Sequence, residues 1–580
     1  MAQANIIGNG KGMQAGDRDE SSGAPTQNDS GHDPSGHDQP VDGKPTPRRR
    51  RRSARSRGLR FDRMVTEQGV DPLDEVLLEK RTSVITNPDG SVVFKMEGAE
   101  IPAEWSQLAT DIVVSKYFRK AGLYGDKEQS ETSVRQIVYR IAHTIREAGE
   151  RFGGYFASTE DADTFEAELS YFLVHQYGAF NSPVWFNCGL WHEYDIKGAG
   201  GNFAWNPTAK ADGPNEIFEI DNAYERPQCS ACFIQSVDDD LMSIYDLVKS
   251  EARLFKYGSG TGTNFSAIRG RQEKLSGGGT SSGLMSFLEV FDRAAGATKS
   301  GGTTRRAAKM VCLDMDHPEI EDFINWKVLE EKKAKALIAA GYPSDFNGEA
   351  YHTVSGQNSN NSLRIKDDFL QAATLSSGGA TPPSPTSSAA EPSDVWHTRA
   401  RTTGEVVETH SASNLWSQIA QAAWECADPG MQYDTTINQW HTCPNTDRIR
   451  ASNPCSEFMF LDNSACNLAS LNLTKFIVES PEDDEKTSRA PVMNVELYQH
   501  ASRVFTSAME ILIDLSSYPT PAIAKTSHDY RPVGLGYANL GTLLMRMGLS
   551  YNSDEGRAVA GSLTAIMCAS AYETSAQIAS

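Results

Sequence analysis

Leu284-Met285-Ser286-Phe287-Leu288-Glu289-Val290-Phe291, followed by Met310-Val311-Cys312-Leu313, is the stretch that decides the fold class. In the first run Leu284, Phe287, Leu288 and Phe291 recur at helical spacing, as residues on one face of a helix must. The second run is short, apolar and β-prone. The same alternation recurs outward in both directions. Phe165, Leu169, Phe172 and Leu173, then Ile244, Leu247, Val248 and Phe255, keep helical spacing, while Phe458-Met459-Phe460-Leu461 reads as another short strand. Helices alternating with strands predict an α/β domain. No repeat of the solenoid type interrupts the pattern.

The 580 residues suffice for a large core and more than one domain. Hydrophobic content is 39% with a negative mean hydropathy, and no apolar run is long enough to span a bilayer. Met1 to Glu20 lack the apolar core of a signal peptide, so cytoplasm and no membrane partner are expected. The nine cysteines are scattered, and in a reducing compartment a disulfide is catalytic before it is structural. A net charge of -21 argues against a general nucleic-acid-binding surface. Residues 1–58 read as a disordered polar tail with an Arg-rich run, Pro47 to Arg52; a solvated segment is the preferred reading, contact with RNA, DNA or an acidic partner the alternative. Residues 59–175 read as an N-terminal helical region and 176–580 as the main domain. A low-complexity insertion falls at about 374–393, and an acidic loop at Glu479 to Glu485.

Asn453-Pro454-Cys455-Ser456-Glu457 carries the chemistry. In extended backbone Asn453, Cys455 and Glu457 would share one face. Pro454 argues against a central strand, so a loop presenting an amide, a thiol and a carboxylate is expected. Ser230-Ala231-Cys232-Phe233 precedes the acidic run Asp238-Asp239-Asp240, and Ala465-Cys466-Asn467-Leu468 follows Glu457. Gly-rich runs lie at Gly258 to Asn264, Gly277 to Gly279 and Ser300 to Arg306. They read as loops that let backbone approach a phosphate or ribose, although none has Walker-A spacing. Cys229 and Cys232 have Cys-x-x-Cys spacing; with no second such pair, zinc is not expected. Cys188, Cys312, Cys426 and Cys568 read as buried thiols. Cys443 has no role that its context supplies.

Four runs, Phe255 to Asn264, Lys299 to Met310, Ser355 to Ser362 and Ala451 to Glu457, together resemble the ribonucleotide reductases, specifically the large adenosylcobalamin-dependent class II kind. The resemblance implies a ten-stranded α/β barrel, incomplete here at the C-terminus, behind the N-terminal helical region. It implies reduction of ribonucleotides, as diphosphates, to 2′-deoxyribonucleotides for DNA synthesis and repair. Cys455 would become the thiyl radical. Glu457 would be the base for the ribose 3′-hydroxyl, and Asn453 its hydrogen-bonding companion. Cys232 and Cys466 would be the pair that ends as a disulfide. Ser182, Ala231, Cys232, Gly260 and Asn453 to Glu457, with Pro454 and Ser456, would line the substrate. Asp239, Arg269, Thr303, Thr304, Arg305 and Lys309 would bind a deoxynucleoside triphosphate effector or carry its signal. The resemblance also implies adenosylcobalamin as cofactor, a thioredoxin-like reductant and a homodimer.

No protein histidine is expected to ligate cobalt, because the Asp-x-His-x-x-Gly cobalamin motif is missing, and no metal-ligating residue is assigned. The family continues well beyond the position of Ser580, so the chain reads as the N-terminal portion of a reductase that a downstream polypeptide would complete. A class I large subunit, and a catalytically incomplete nucleotide-binding fragment, are the alternatives.

Overall fold

The computed structural model describes residues 58–86, 90–211, 213–298, 307–345, 348–375, 394–478 and 491–580. The Arg-rich run, most of the low-complexity insertion, the acidic loop, and Thr303, Thr304 and Arg305 lie outside the described residues. Among those described, no helix is long and apolar enough to cross a membrane.

Eight strands form the main sheet: β1 Gly178–Phe180, β2 Cys232–Gln235, β3 Gly260–Asn264, β4 Lys309–Asp314, β5 Ser359–Ile365, β6 Gly430–Tyr433, β7 Ser464–Asn472 and β8 Val533–Ala538. Their spatial order is β6-β5-β4-β3-β2-β7-β8, with β1 pairing with the second half of β7. Strands β2 to β6 are all parallel. β7 then runs antiparallel to β2 and parallel to β8. Along that seven-strand path the direction changes at one seam, between β2 and β7; β1 is also antiparallel to β7.

The main helices are α1 Val134–Phe152, α2 Thr159–Val174, α3 Leu241–Lys256, α4 Leu284–Ala297, α5 Ile320–Ala339, α6 Ala412–Cys426, α7 Val495–Leu515 and α8 Asp554–Ala579. Helices α3, α4, α5 and α6 each fall between two consecutive parallel strands, as a crossover connection requires. Strand alternation divides the side chains of β4. Val311 and Leu313 join the core formed with Leu284, Leu288 and Phe291, whereas Met310 and Cys312 face the other way, toward Ile234 and Ala451. A second core joins α1 and α2 to α7, with Ile141, Phe165, Phe172, Phe505 and Leu512 all buried. Each such side chain contributes about 1.5–3 kcal/mol through burial.

The region expected to be helical opens instead with a hairpin, Leu78–Thr86 paired to Val92–Pro102, before α1 begins. A capping box closes the start of α1: Ser133 and Gln136 satisfy each other's backbone N–H groups. Cys188 and Cys312 are buried as expected, but Cys426 is half-buried and Cys568 is exposed on α8. Adjacent Met567 takes the buried face there.

The Gly-rich run Gly258 to Asn264 is also different from a phosphate loop. Gly260–Asn264 is strand β3. Its glycines make room for a neighbouring hairpin, Ala451–Ser452 paired to Met459–Phe460. A Cβ on Gly262 would overlap the Ser452 carbonyl oxygen, and one on Gly260 would sit 2.8 Å from Pro454 Cγ. Gly262→Ala is therefore expected to cost about 1–3 kcal/mol, the range for overpacking. A lower urea midpoint at unchanged m-value would show it. An unchanged midpoint would mean that the hairpin yields freely.

Candidate active site

The hairpin that packs on β3 carries Asn453 to Glu457 at its turn. Ser456 N–H donates to the Asn453 carbonyl at 3.1 Å, closing a four-residue turn, and Ser456 has φ +63°. The segment is thus a loop, as Pro454 suggested, and not extended. The alternating-face reading fails for that reason: a left-handed residue after Cys455 breaks the period of two. Asn453 and Glu457 nonetheless both reach the Cys232 sulfur, while the three side chains differ in exposure. Asn453 is buried; Cys455 and Glu457 are exposed.

The sheet seam brings in the other thiols. Cys232 at the start of β2 is the direct cross-strand partner of Cys466 on β7. Directly opposed residues of an antiparallel pair have Cα atoms about 4.5–5.5 Å apart and side chains on the same face. Disulfides need about 4.4–6.8 Å. Phe233 and Ala465, one position along, pack together on the opposite face. Above Cys232 lies the hairpin: the Cys232 thiol donates to Glu457 Oε1 at 3.2 Å, and Asn453 Nδ2 donates to Cys232 Sγ at 3.1 Å. Asn453 also accepts from Phe458 N–H through Oδ1 at 2.9 Å, which fixes its amide. One cluster therefore holds Asn453, Glu457, Cys232 and Cys466, with Cys455 at the adjoining turn tip.

Electrostatics keep both seam thiols protonated. Burial first, then the nearby Glu457 carboxylate, raises the Cys232 thiol far above its ordinary range, and the same two causes raise Cys466. Cys229 is buried against Cys188, so it faces a different partner from Cys232 despite their spacing.

The remaining expected residues are placed as follows. Ala231 N–H donates to the Cys466 carbonyl at 3.2 Å, and its carbonyl accepts from Gly260 N–H at 2.8 Å, so Ala231 and Gly260 border the thiol pair. Ser182 opens a short helix, its Oγ 2.9 Å from the Tyr117 hydroxyl. Asp240, last of the acidic run, caps α3 by accepting from the Met242 and Ser243 amides. Asp239 and Arg269 bind one another at 2.6 Å, both part-buried. Lys309 is fully buried, ion-paired to Glu251 on α3 and lying over the Phe291 ring at 4.1 Å. In this structure its ammonium faces the protein interior. Lys309, expected to bind an effector or to carry its signal, is placed here as a buried anchor of β4.

Two residues that hold the turn were not singled out from the sequence. Asn360, within the quoted run Ser355 to Ser362, donates from Nδ2 to the Pro454 carbonyl at 2.8 Å. Gln432 on β6 donates to Ser452 Oγ at 2.7 Å and to Ser456 Oγ at 3.2 Å. Only the proximity of β5 and β6 to the hairpin reveals them.

Residues 230–580 match the family model for the barrel domain of ribonucleotide reductase, and residues 79–176 match that of class II vitamin B12-dependent ribonucleotide reductase. A vitamin B12-dependent ribonucleotide reductase of Rhodopirellula baltica is 48% identical over 527 residues, covering 90% of this chain and 47% of the relative. That of Agrobacterium fabrum is 43% identical over 623 residues, covering 90% and 46%. A vitamin B12-dependent ribonucleoside-diphosphate reductase of Mycobacterium tuberculosis is 30% identical over 343 residues, covering 59% and 42%. The chain spans about half the length of the first two relatives. With a matched barrel model over more than half its length, a matched class II model before it, and a dithiol seam beneath a Cys-bearing turn, the chain belongs to the class II, vitamin B12-dependent ribonucleotide reductases.

Proposed function

We propose that this chain carries the thiol chemistry of a reductase that converts ribonucleoside diphosphates to 2′-deoxyribonucleotides. The observation that carries this reading is the Cys232–Cys466 cross-strand pair lying under Asn453 and Glu457. A 2′-hydroxyl is a poor leaving group on an unactivated carbon, whereas a radical at C3′ eases its loss as water. When bound, adenosylcobalamin supplies a carbon-centred radical able to take a hydrogen atom from a thiol. The exposed thiol of Cys455 fits such a bulky group, which a buried thiol would not admit.

In this reading the Cys455 thiyl takes the 3′-hydrogen and later returns one. Glu457 accepts the 3′-hydroxyl proton, and Asn453 holds that hydroxyl. Cys232 and Cys466 together give two electrons and two protons, forming one S–S bond as the 2′-oxygen leaves as water. Their protonated state suits this role, since each delivers its hydrogen. The test is deoxynucleotide formation from a ribonucleoside diphosphate with adenosylcobalamin. It is run with the purified chain alone and with a polypeptide matching the remaining length of its relatives. Product in either mixture is expected; none in both would count against the reading.

The eight strands are proposed to belong to a ten-stranded barrel, in a homodimer served by a thioredoxin-like reductant in the cytoplasm. Asp239 and Arg269 are proposed to open their mutual ion pair around a deoxynucleoside triphosphate, the carboxylate taking ribose hydroxyls and the guanidinium taking phosphate. Effector and substrate sites are then coupled, typically by about 1–3 kcal/mol. Asp239→Ala should leave basal turnover intact and abolish the switch in substrate preference between dTTP, dATP and dGTP. A retained switch would return the pair to a plain surface ion pair.

A further inference from the structure

We propose that Asn360 and Gln432 are positioning residues for Cys455, clamping the residues on either side of it from two neighbouring strands. The proposal rests on the reading of Cys455 as the hydrogen-abstracting thiol. Cys455 stands at a turn, where backbone is least constrained, yet hydrogen-atom transfer requires its sulfur at a fixed place. A displacement of about 1 Å costs on the order of a hundredfold in rate. The turn's own hydrogen bond, Ser456 N–H to the Asn453 carbonyl, spans Cys455 but fixes neither flank to the sheet.

Two side-chain amides supply that fixing. Asn360 Nδ2 holds the Pro454 carbonyl, immediately before Cys455, at 2.8 Å. Gln432 Nε2 holds the Ser456 hydroxyl, immediately after it, at 3.2 Å, and Ser452 Oγ at 2.7 Å. Ser456 is the residue with φ +63°, a conformation that a serine keeps only when its surroundings enforce it.

Each clamp is itself held. The Gln432 side-chain oxygen accepts from Arg364 Nη1 at 3.2 Å, which turns its NH₂ toward the serines. Arg364 is buried and paired to Asp434. The backbone leading to Asn360 is pinned by buried Asp292 on α4, which accepts from Gly356 N–H at 2.9 Å and Asn358 N–H at 2.8 Å. Just beyond, Asn361 N–H donates to Asp428 at 3.1 Å. The run Ser355 to Ser362 therefore has a function that its polarity alone does not explain: it delivers one amide to the turn. Asn360 is exposed, so packing does not require an asparagine there. Its chemistry does, because only a donor can hold a carbonyl, and aspartate at that position would present acceptors.

Asn360→Ala and Asn360→Asp carry the test, since an exposed residue can be changed without loss of folding, checked by an unchanged melting temperature. In the purified chain, hydrogen exchange of the Ser456 amide should become about tenfold faster in both variants, the effect of losing one hydrogen bond. In the reduction assay kcat should fall about 10–100-fold while KM stays within about twofold. Unchanged exchange, unchanged kcat, or a rise confined to KM would each overturn the proposal. Its failure is separable from failure of the underlying reading. If Cys455→Ala is inactive while the Asn360 variants behave as wild type, only the clamp is wrong. If Cys455→Ala still turns over, the site reading itself falls.

Discussion

Cys455→Ala is expected to abolish deoxynucleotide formation, by about three or more orders of magnitude, while leaving the melting transition in place. Both halves follow from the geometry. Cys455 is exposed at the turn tip, so its removal opens no cavity in the core, and its effect on stability should stay within about 0.5 kcal/mol. The neighbouring thiols do not substitute for it. Cys232 is engaged by Asn453 and Glu457, and Cys466 is buried with its thiol donating to the Asn467 carbonyl at 3.3 Å. Neither stands at the turn, so under the proposed reading the 3′-hydrogen has no other acceptor. Loss of the one group that starts a reaction removes nearly all of the catalysis that depends on it. Substantial turnover by a folded Cys455→Ala chain would remove Cys455 from the reaction.

Cys466→Ala and Cys232→Ala should each stop multiple turnover as completely, for a different reason. Without both thiols there is no pair to supply two electrons, and no disulfide for an external reductant to restore. Their burial adds a second readout. At pH 8 iodoacetamide should modify exposed Cys455 and Cys568 quickly, and Cys232 and Cys466 slowly, because burial and Glu457 raise both seam thiols well above the ordinary range. The sign of the linked stability follows. In the unfolded chain these thiols ionise near pH ~8.5. The stability contributed by keeping them protonated is therefore fully present below that pH, and falls as pH rises from there toward the raised folded values. Urea midpoints that increase from pH 8 to pH 10 would contradict this.

The α/β class was legible because apolar periodicity is local: Leu284 to Phe291 and Met310 to Leu313 form α4 and β4 much as their spacing indicates. The dithiol seam was not legible from periodicity. Cys232 and Cys466 meet through the antiparallel pairing of β2 with β7, and no short-range pattern encodes a pairing between segments so far apart. Resemblance, not spacing, named them as partners. The turn misled in one respect. Nothing local announces a left-handed residue at Ser456, since serine rarely adopts it; Gln432, contributed by a distant strand, holds its hydroxyl. The glycines of β3 misled in another. A Gly-rich run reads equally as a phosphate loop or as a strand under a close backbone, and only the Ser452 carbonyl above Gly262 decides between them.

The most direct measurement is a single turnover without external reductant, using an excess of protein over ribonucleotide. The reaction is quenched by alkylation, and the disulfides are mapped by peptide analysis. The account predicts one Cys232–Cys466 disulfide for each deoxynucleotide formed, with Cys188 and Cys229 still reduced. Deoxynucleotide formed while Cys232 and Cys466 both remain alkylatable thiols, or a bridge that runs through Cys229 instead, would contradict it.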